Sequence, residues 1–239
     1  MDSNGSITTN LAAVRRQIHD IASRAGRAPT DIELIAVSKT RTLSEVLQAV
    51  SAGQCAFGEN TLQDAITKIP WVKFPDVRWH FIGHLQSKKA RQIPGSFHWL
   101  HSLDSLKLAR RLSAAMQESG LTDRLECLLQ VNVADEATKS GLQPASVRPF
   151  LDELLKLKLP GLNWRGLMTI GVQGDEAETR WAFSQLRKLQ QHCRDEFALP
   201  AFDQLSMGMS DDYAIAIEEG STMVRVGTAI FGQRQIHRD

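Results

Sequence analysis

The chain has 239 residues, of which 42% are hydrophobic and 23% charged, and its 28 basic and 27 acidic side chains give a formal charge of +1. That length can bury the core of one barrel-sized domain or two small ones, and the composition is that of an ordinary soluble globule. The near-zero balance provides no field that favours nucleic acid or an anionic membrane, so neither is expected as a partner.

The first ten residues are polar, with neither a basic leader nor an apolar stretch, and no signal peptide or membrane span is expected. In residues 11–25, Leu11, Val14, Ile18 and Ile21 recur at helical spacing before Gly26 to Pro29 close the segment. An apolar strand over 33–38 then runs into the charged Lys39. A helix is predicted over 44–52, ended by Gly53, followed by a strand over 55–58 and a helix over 61–69. Strands are predicted over 78–82, 99–102, 125–132, 164–169, 203–206 and 222–226. The helical patterns between them include 105–117, 145–157, 176–197 and 211–219, and the basic stretch from His84 to Arg91 reads as a solvated helix start.

Eight strand–helix units without a long linker or repeat predict an α/β fold: one (β/α)8 TIM barrel with an extra N-terminal helix, filling residues 1–239 with flexible ends at 1–8 and 235–239. An open doubly wound sheet is the alternative, disfavoured by the count of eight and by the lack of a GxGxxG turn after the first strand. Cys55, Cys127 and Cys193 are widely spaced, form no CxxC pattern and read as reduced thiols of a cytoplasmic protein.

In such a barrel the active site lies at the carboxyl ends of the strands, with phosphate commonly held after strands seven and eight. Lys39 at the end of strand one is therefore a candidate amine nucleophile. An exposed lysine opening a loop is the plainer reading, and Lys88 and Lys89 are weaker candidates. Asn60, Ser206, Gly227 and Thr228 converge on the same mouth. Gly227 allows close backbone approach to a phosphate oxygen and Thr228 adds a hydroxyl donor. Ser210 suits a phosphate as well, but with Asp211 and Asp212 it also reads as a helix cap, so Ser206 is preferred. Arg225 breaks an apolar strand with a permanent cation, either paired on the outer face or turned inward as a donor that does not readily accept a proton. His80, His84 and His101 lack a completing cysteine or carboxylate shell and do not read as a metal centre, and no GxSxG elbow supports a serine nucleophile.

Six motifs in order, Leu34-Ile35-Ala36-Val37-Ser38-Lys39-Thr40, Phe57-Gly58-Glu59-Asn60, His80 to Ser87, Gly166-Leu167-Met168, Leu205 to Asp212, and Gly220 to Thr228, resemble the pyridoxal phosphate homeostasis proteins. These are vitamin B6-binding barrels similar to the first domain of alanine racemase, and the resemblance spans about residues 8 to 234. It implies a fold-type III barrel that binds pyridoxal 5'-phosphate (PLP) as a covalent imine to Lys39. By the same resemblance Asn60 lines the ring, Ser206, Gly227 and Thr228 hold the phosphate, and Arg225 faces the pyridine nitrogen. Lys88 stands where the family usually has asparagine.

The expected function is PLP storage and homeostasis without robust turnover, in a monomer that serves PLP-dependent apoenzymes. Two enzymes on the same barrel are the rivals: an amino-acid racemase and a lysine-dependent sugar-phosphate aldolase. Racemisation needs a proton-transfer group on each face of the α-carbon. The single tyrosine, Tyr213, and the lack of a recognisable second domain weigh against it, while Arg225 weighs against the aldolase.

Overall fold

The computed structural model describes residues 6–134, 139–171 and 175–233. Among these residues eight strands form: β1 (Glu33–Val37), β2 (Ala56–Glu59), β3 (Arg78–Phe81), β4 (Trp99–Leu103), β5 (Leu125–Gln130), β6 (Leu162–Met168), β7 (Gln204–Ser206) and β8 (Met223–Val226). They pair in chain order, all parallel, and β8 pairs with β1 to close a barrel. The helices are α1 (Ile7–Arg24), α2 (Leu43–Ser51), α3 (Leu62–Ala65), α4 (Leu106–Ser119), α5 (Pro144–Leu157), α6 (Glu176–Glu196), α7 (Tyr213–Glu218) and α8 (Thr228–Phe231).

Because strand side chains alternate between the two faces, the closed sheet has two cores. The larger lies between strands and helices and includes Ala36, Phe57, Leu100, Leu129, Leu205 and Val224. The smaller fills the barrel itself: Ile35, Ala56, Leu128, Met168 and Met223, with Trp99 packed against them. Arg225 pairs in register with Ile35. It therefore belongs to the interior face, which settles the two orientations left open by its sequence context.

The N-terminal helix covers the seam where the barrel closes. α8 is only four residues long, and α1 packs against α8, α7 and α2, burying Leu11, Val14, Ile18 and Ile21. Burial at about 1.5–3 kcal/mol per large aliphatic side chain makes this helix a substantial part of the closure. Asn10 Nδ2 donates to Ile230 O at 3.0 Å, and Arg27 Nη1 donates to Ile217 O at 2.8 Å and Ser221 O at 2.7 Å.

Three local outcomes differ from the sequence pattern. Ser6 accepts from the Thr9 N–H as the N-cap, so the first helix starts at Ile7, four residues before its predicted start. Of the ends expected to be flexible, 1–8 and 235–239, residues 1–5 and 235–239 lie outside the described residues, while Ile7 and Thr8 belong to the first helix. The helix predicted over 61–69 stops after α3 and a short 3-10 turn follows at Ile69–Trp71, because Pro70 lacks an N–H and disfavours the α conformation at Ile69. The basic stretch forms a 3-10 helix, Ser87–Gln92. Among the described residues no helix is long and apolar enough to cross a membrane.

Candidate functional site

At the carboxyl ends of the strands a cavity of about 380 Å³ opens, lined by Lys39, Asn60, Ser210, Arg225, Gly227 and Thr228, with Val37, Ile82 and Met168 as apolar walls. β1, β2, β7 and β8 thus deliver six of the seven residues singled out in the sequence to one mouth. Ile170 and Met209, both exposed, form the rim.

Lys39 sits in a tight turn directly after β1. Arg41 N–H donates to Ser38 O at 3.0 Å, and Thr40 adopts φ 62°, the left-handed region that a β-branched residue rarely enters. Strain of this kind costs on the order of 1–3 kcal/mol and persists only where the surroundings enforce it. Here Asp64 Oδ2 accepts the Thr40 N–H at 2.6 Å. Lys68 enforces the same turn from below. Its Nζ, fully buried, donates to Ser38 O at 2.7 Å and Glu59 Oε1 at 2.7 Å and lies 3.0 Å from Asp64 Oδ1. Ser38 Oγ also donates to Glu59 Oε1, at 2.6 Å.

Burial raises the Glu59 pKa to about 7, against the opposing pull of Lys68 and Ser38. Asp64 moves the other way: burial would raise it, but the Thr40 N–H and Lys68 together hold it below the usual carboxylate range. Sequence reading gave no role to Lys68 or Asp64, because a lysine one helical turn after an aspartate looks like an ordinary surface pair. Only the inward turn of the chain before Pro70 shows otherwise.

Arg225 is 4% exposed and forms no ion pair among the described residues. Its Nη1 donates to Ser206 Oγ at 2.6 Å and its Nη2 to Thr169 O at 2.9 Å. Burial lowers its pKa to about 10, partly offset by Asp212, so it stays cationic at neutral pH. Ser206 departs from the expectation of a phosphate ligand. Its hydroxyl, fully buried, lies beneath the cavity between Arg225 and His101 Nδ1, the latter at 2.9 Å. β7 is short and strand alternation points Ser206 into the barrel axis rather than at the mouth.

Ser210 is the β7-side residue that reaches the cavity, and it does not cap α7. Asp212 takes the position before Tyr213, and its Oδ1 accepts the Met209 N–H at 2.5 Å. Gly208 makes this loop possible: at φ 94° a Cβ would lie 2.5 Å from Ala216 Cβ. Across the mouth, Gly227 follows β8 and Thr228 opens α8. His80 and His101 are buried with Nδ1 and Nε2 3.0 Å apart, whereas His84 is exposed, so the three histidines do not converge.

The donors and walls suit an aldehyde-bearing phosphorylated pyridine. There is an amine at Lys39, a fixed cation at Arg225, apolar walls, hydroxyls at Ser210 and Thr228, and open backbone at Gly227.

Comparison with known proteins places this geometry among relatives. The family described as alanine racemase, N-terminal domain, matches residues 9–235. The pyridoxal phosphate homeostasis protein of Vibrio alginolyticus is 43% identical over 234 residues, which cover 96% of this chain and 98% of that protein. PipY of Synechococcus elongatus PCC7942, solved with PLP bound, is 37% identical with a TM-score of 0.81, over 95% of this chain and all of that one (100%). An alanine racemase of Clostridium difficile 630 is 15% identical with a TM-score of 0.74, over 97% of this chain and 58% of that one, a likeness of fold alone.

Proposed function

This chain belongs to the alanine racemase N-terminal domain family, in the branch of the pyridoxal phosphate homeostasis proteins, and on that footing we propose that it holds PLP through Lys39 and takes part in PLP homeostasis without robust turnover. The observation that carries this reading is the meeting of Lys39 with the buried Arg225 in one cavity. When bound, the cofactor supplies an aldehyde carbon that condenses reversibly with an amine and releases water.

Each residue has a separate task in this proposal. Lys39 presents Nζ from a turn that Asp64 and Lys68 hold rigid, so the amine is placed before the ligand arrives. Arg225, a cavity donor that keeps its own proton, would meet the pyridine nitrogen and leave it unprotonated, making the ring a weak electron sink. Asn60 and Ile82, which line the cavity, would hold the ring. Ser210, Gly227 and Thr228 receive the phosphate through a hydroxyl and close backbone approach. Such a site stores an aldehyde reversibly, and hand-over to apoenzymes needs only exchange of one amine or water for another at that carbon.

A racemase would need a second proton-transfer group across the cavity from Lys39. The one tyrosine of the sequence, Tyr213, does not line the cavity, and its hydroxyl donates to Gln17 Oε1 at 2.5 Å. The test is an absorption spectrum of the purified protein with added PLP, then borohydride reduction and peptide mapping. A visible band that collapses to a pyridoxyl adduct on Lys39, and that Lys39→Ala lacks, is the expected result. An unchanged adduct in Lys39→Ala moves the anchor to another lysine, and a chain that takes up no PLP overturns the proposal.

A further inference from the structure

Behind Arg225 a file of buried polar side chains crosses the barrel from the cavity to the opposite mouth. Arg225 Nη1 donates to Ser206 Oγ at 2.6 Å, Ser206 Oγ lies 2.9 Å from His101 Nδ1, and His101 Nε2 lies 3.0 Å from His80 Nδ1. His80 Nε2 has no hydrogen-bond partner among the described residues, and Glu33 Oε2 lies 3.9 Å from it. Ser206, His101 and His80 are fully buried, while Glu33, first residue of β1, is partly exposed at the amino-terminal mouth. The rings are held in place: His80 stacks on Trp99 with centroids 5.6 Å apart and planes at 7°, and His101 meets both edge-on.

Proton counting decides the direction of this file. Arginine only donates, and each neutral imidazole has one N–H and one acceptor nitrogen. Burial holds both rings neutral, His80 at about 3 and His101 well below its ordinary value. If His80 donated towards His101 and His101 towards Ser206, the serine oxygen would accept twice. Its own proton would then lack an acceptor among the described residues, and the bare His80 Nε2 lone pair would face a carboxylate. In the reverse order the Ser206 and His101 protons each meet an acceptor, and the last N–H, on His80 Nε2, has a carboxylate oxygen of Glu33 3.9 Å away instead of a bare lone pair facing it.

We infer that Arg225, Ser206, His101 and His80 form a one-way donor chain that ends near Glu33, with both histidines protonated on Nε2, and that this chain is the positioning device of Arg225. Ser206, by donating to His101, becomes a stronger acceptor for the guanidinium, since consecutive hydrogen bonds polarise one another. Together with Thr169 O it fixes the plane of the guanidinium at the cavity floor. Ser206 and His101 thereby act on the ligand only through Arg225, a role that rests on the PLP reading, whereas the tautomers do not.

Long-range proton–nitrogen NMR of the chain labelled at histidine nitrogens reads the tautomers directly, without PLP. His80 and His101 should both show the neutral Nε2–H pattern from about pH 5 to about pH 8; an Nδ1–H pattern or a charged ring at either position overturns the direction. PLP titration of the whole protein reads the positioning role. Ser206→Ala should weaken uptake roughly tenfold or more and shift the pH at which the visible band changes, while Ser206→Thr, which keeps the hydroxyl, restores both. If the unaltered protein takes up PLP and Ser206→Ala matches it in affinity and band, the positioning role is wrong. If the unaltered protein takes up none, the PLP reading fails and the tautomer result still stands.

Discussion

Replacing Lys68 by methionine tests whether the turn that carries Lys39 is held by a buried charge network. The substitution keeps the volume but removes the donor to Ser38 O and Glu59 Oε1 and the cation beside Asp64. With Glu59 mostly protonated, the loss is that of buried hydrogen bonds and of the ion pair with the partly exposed Asp64, about 1–2 kcal/mol at about pH 6.5. Lys68 is the strongest of the partners that pull the Glu59 pKa down, so its removal raises that pKa further above about 7. A folded-state carboxyl pKa above its unfolded value means that the folded chain binds the extra proton, so stability falls as pH rises between the two values. Below about pH 7 both proteins share that slope; above it only the variant keeps losing stability, by about 1.4 kcal/mol per pH unit. The expected destabilisation therefore grows to about 3–4 kcal/mol at about pH 8.5, within the range for breaking one side of a buried pair. Urea unfolding followed by circular dichroism at the two pH values measures it, and adding Glu59→Gln to the variant should abolish the extra slope. A penalty that is the same at both pH values, or one below about 1 kcal/mol at the higher, would refute the network.

Thr228→Val keeps the shape of the side chain and removes its hydroxyl, and should cost about 1.5–3 kcal/mol of PLP binding, read by spectrophotometric titration; unchanged affinity would turn Thr228 away from the phosphate. Gly83→Ala should destabilise the fold by more than about 3 kcal/mol in urea unfolding, because its Cβ would lie 1.9 Å from Asn60 O, which is backbone and cannot swing aside. A near-neutral effect at Gly83 would mean that the β2 and β3 loops separate easily, and Asn60 would then be a mobile cavity wall.

The alternation of apolar runs and helical patterns was enough to determine a parallel α/β fold, since each strand of a parallel sheet buries both faces and each covering helix buries one stripe; the count of eight favoured a barrel over an open sheet, and the β8–β1 pairing decides it. Lys39, Asn60, Gly227 and Thr228 were legible for a related reason: residues just past a barrel strand share one mouth whatever the loops do. Ser206 shows the limit of that rule. As the last residue of β7 it still follows the strand's alternation, which aims it at the axis, and a boundary uncertain by one residue exchanges a cavity ligand for a buried support.

What only tertiary structure decided were the partners of charged and polar side chains. Arg225 had two orientations in sequence and one in the closed barrel, because its register with Ile35 puts it on the interior face. Lys68 and Glu59 meet Ser38 across separations of 30 and 21 residues along the chain, Asp64 meets Thr40 across 24, and His101 meets Ser206 across 105. Local propensity is fixed by neighbours in sequence, whereas a hydrogen bond across the barrel depends on how the strands are staggered around it, which no single segment encodes.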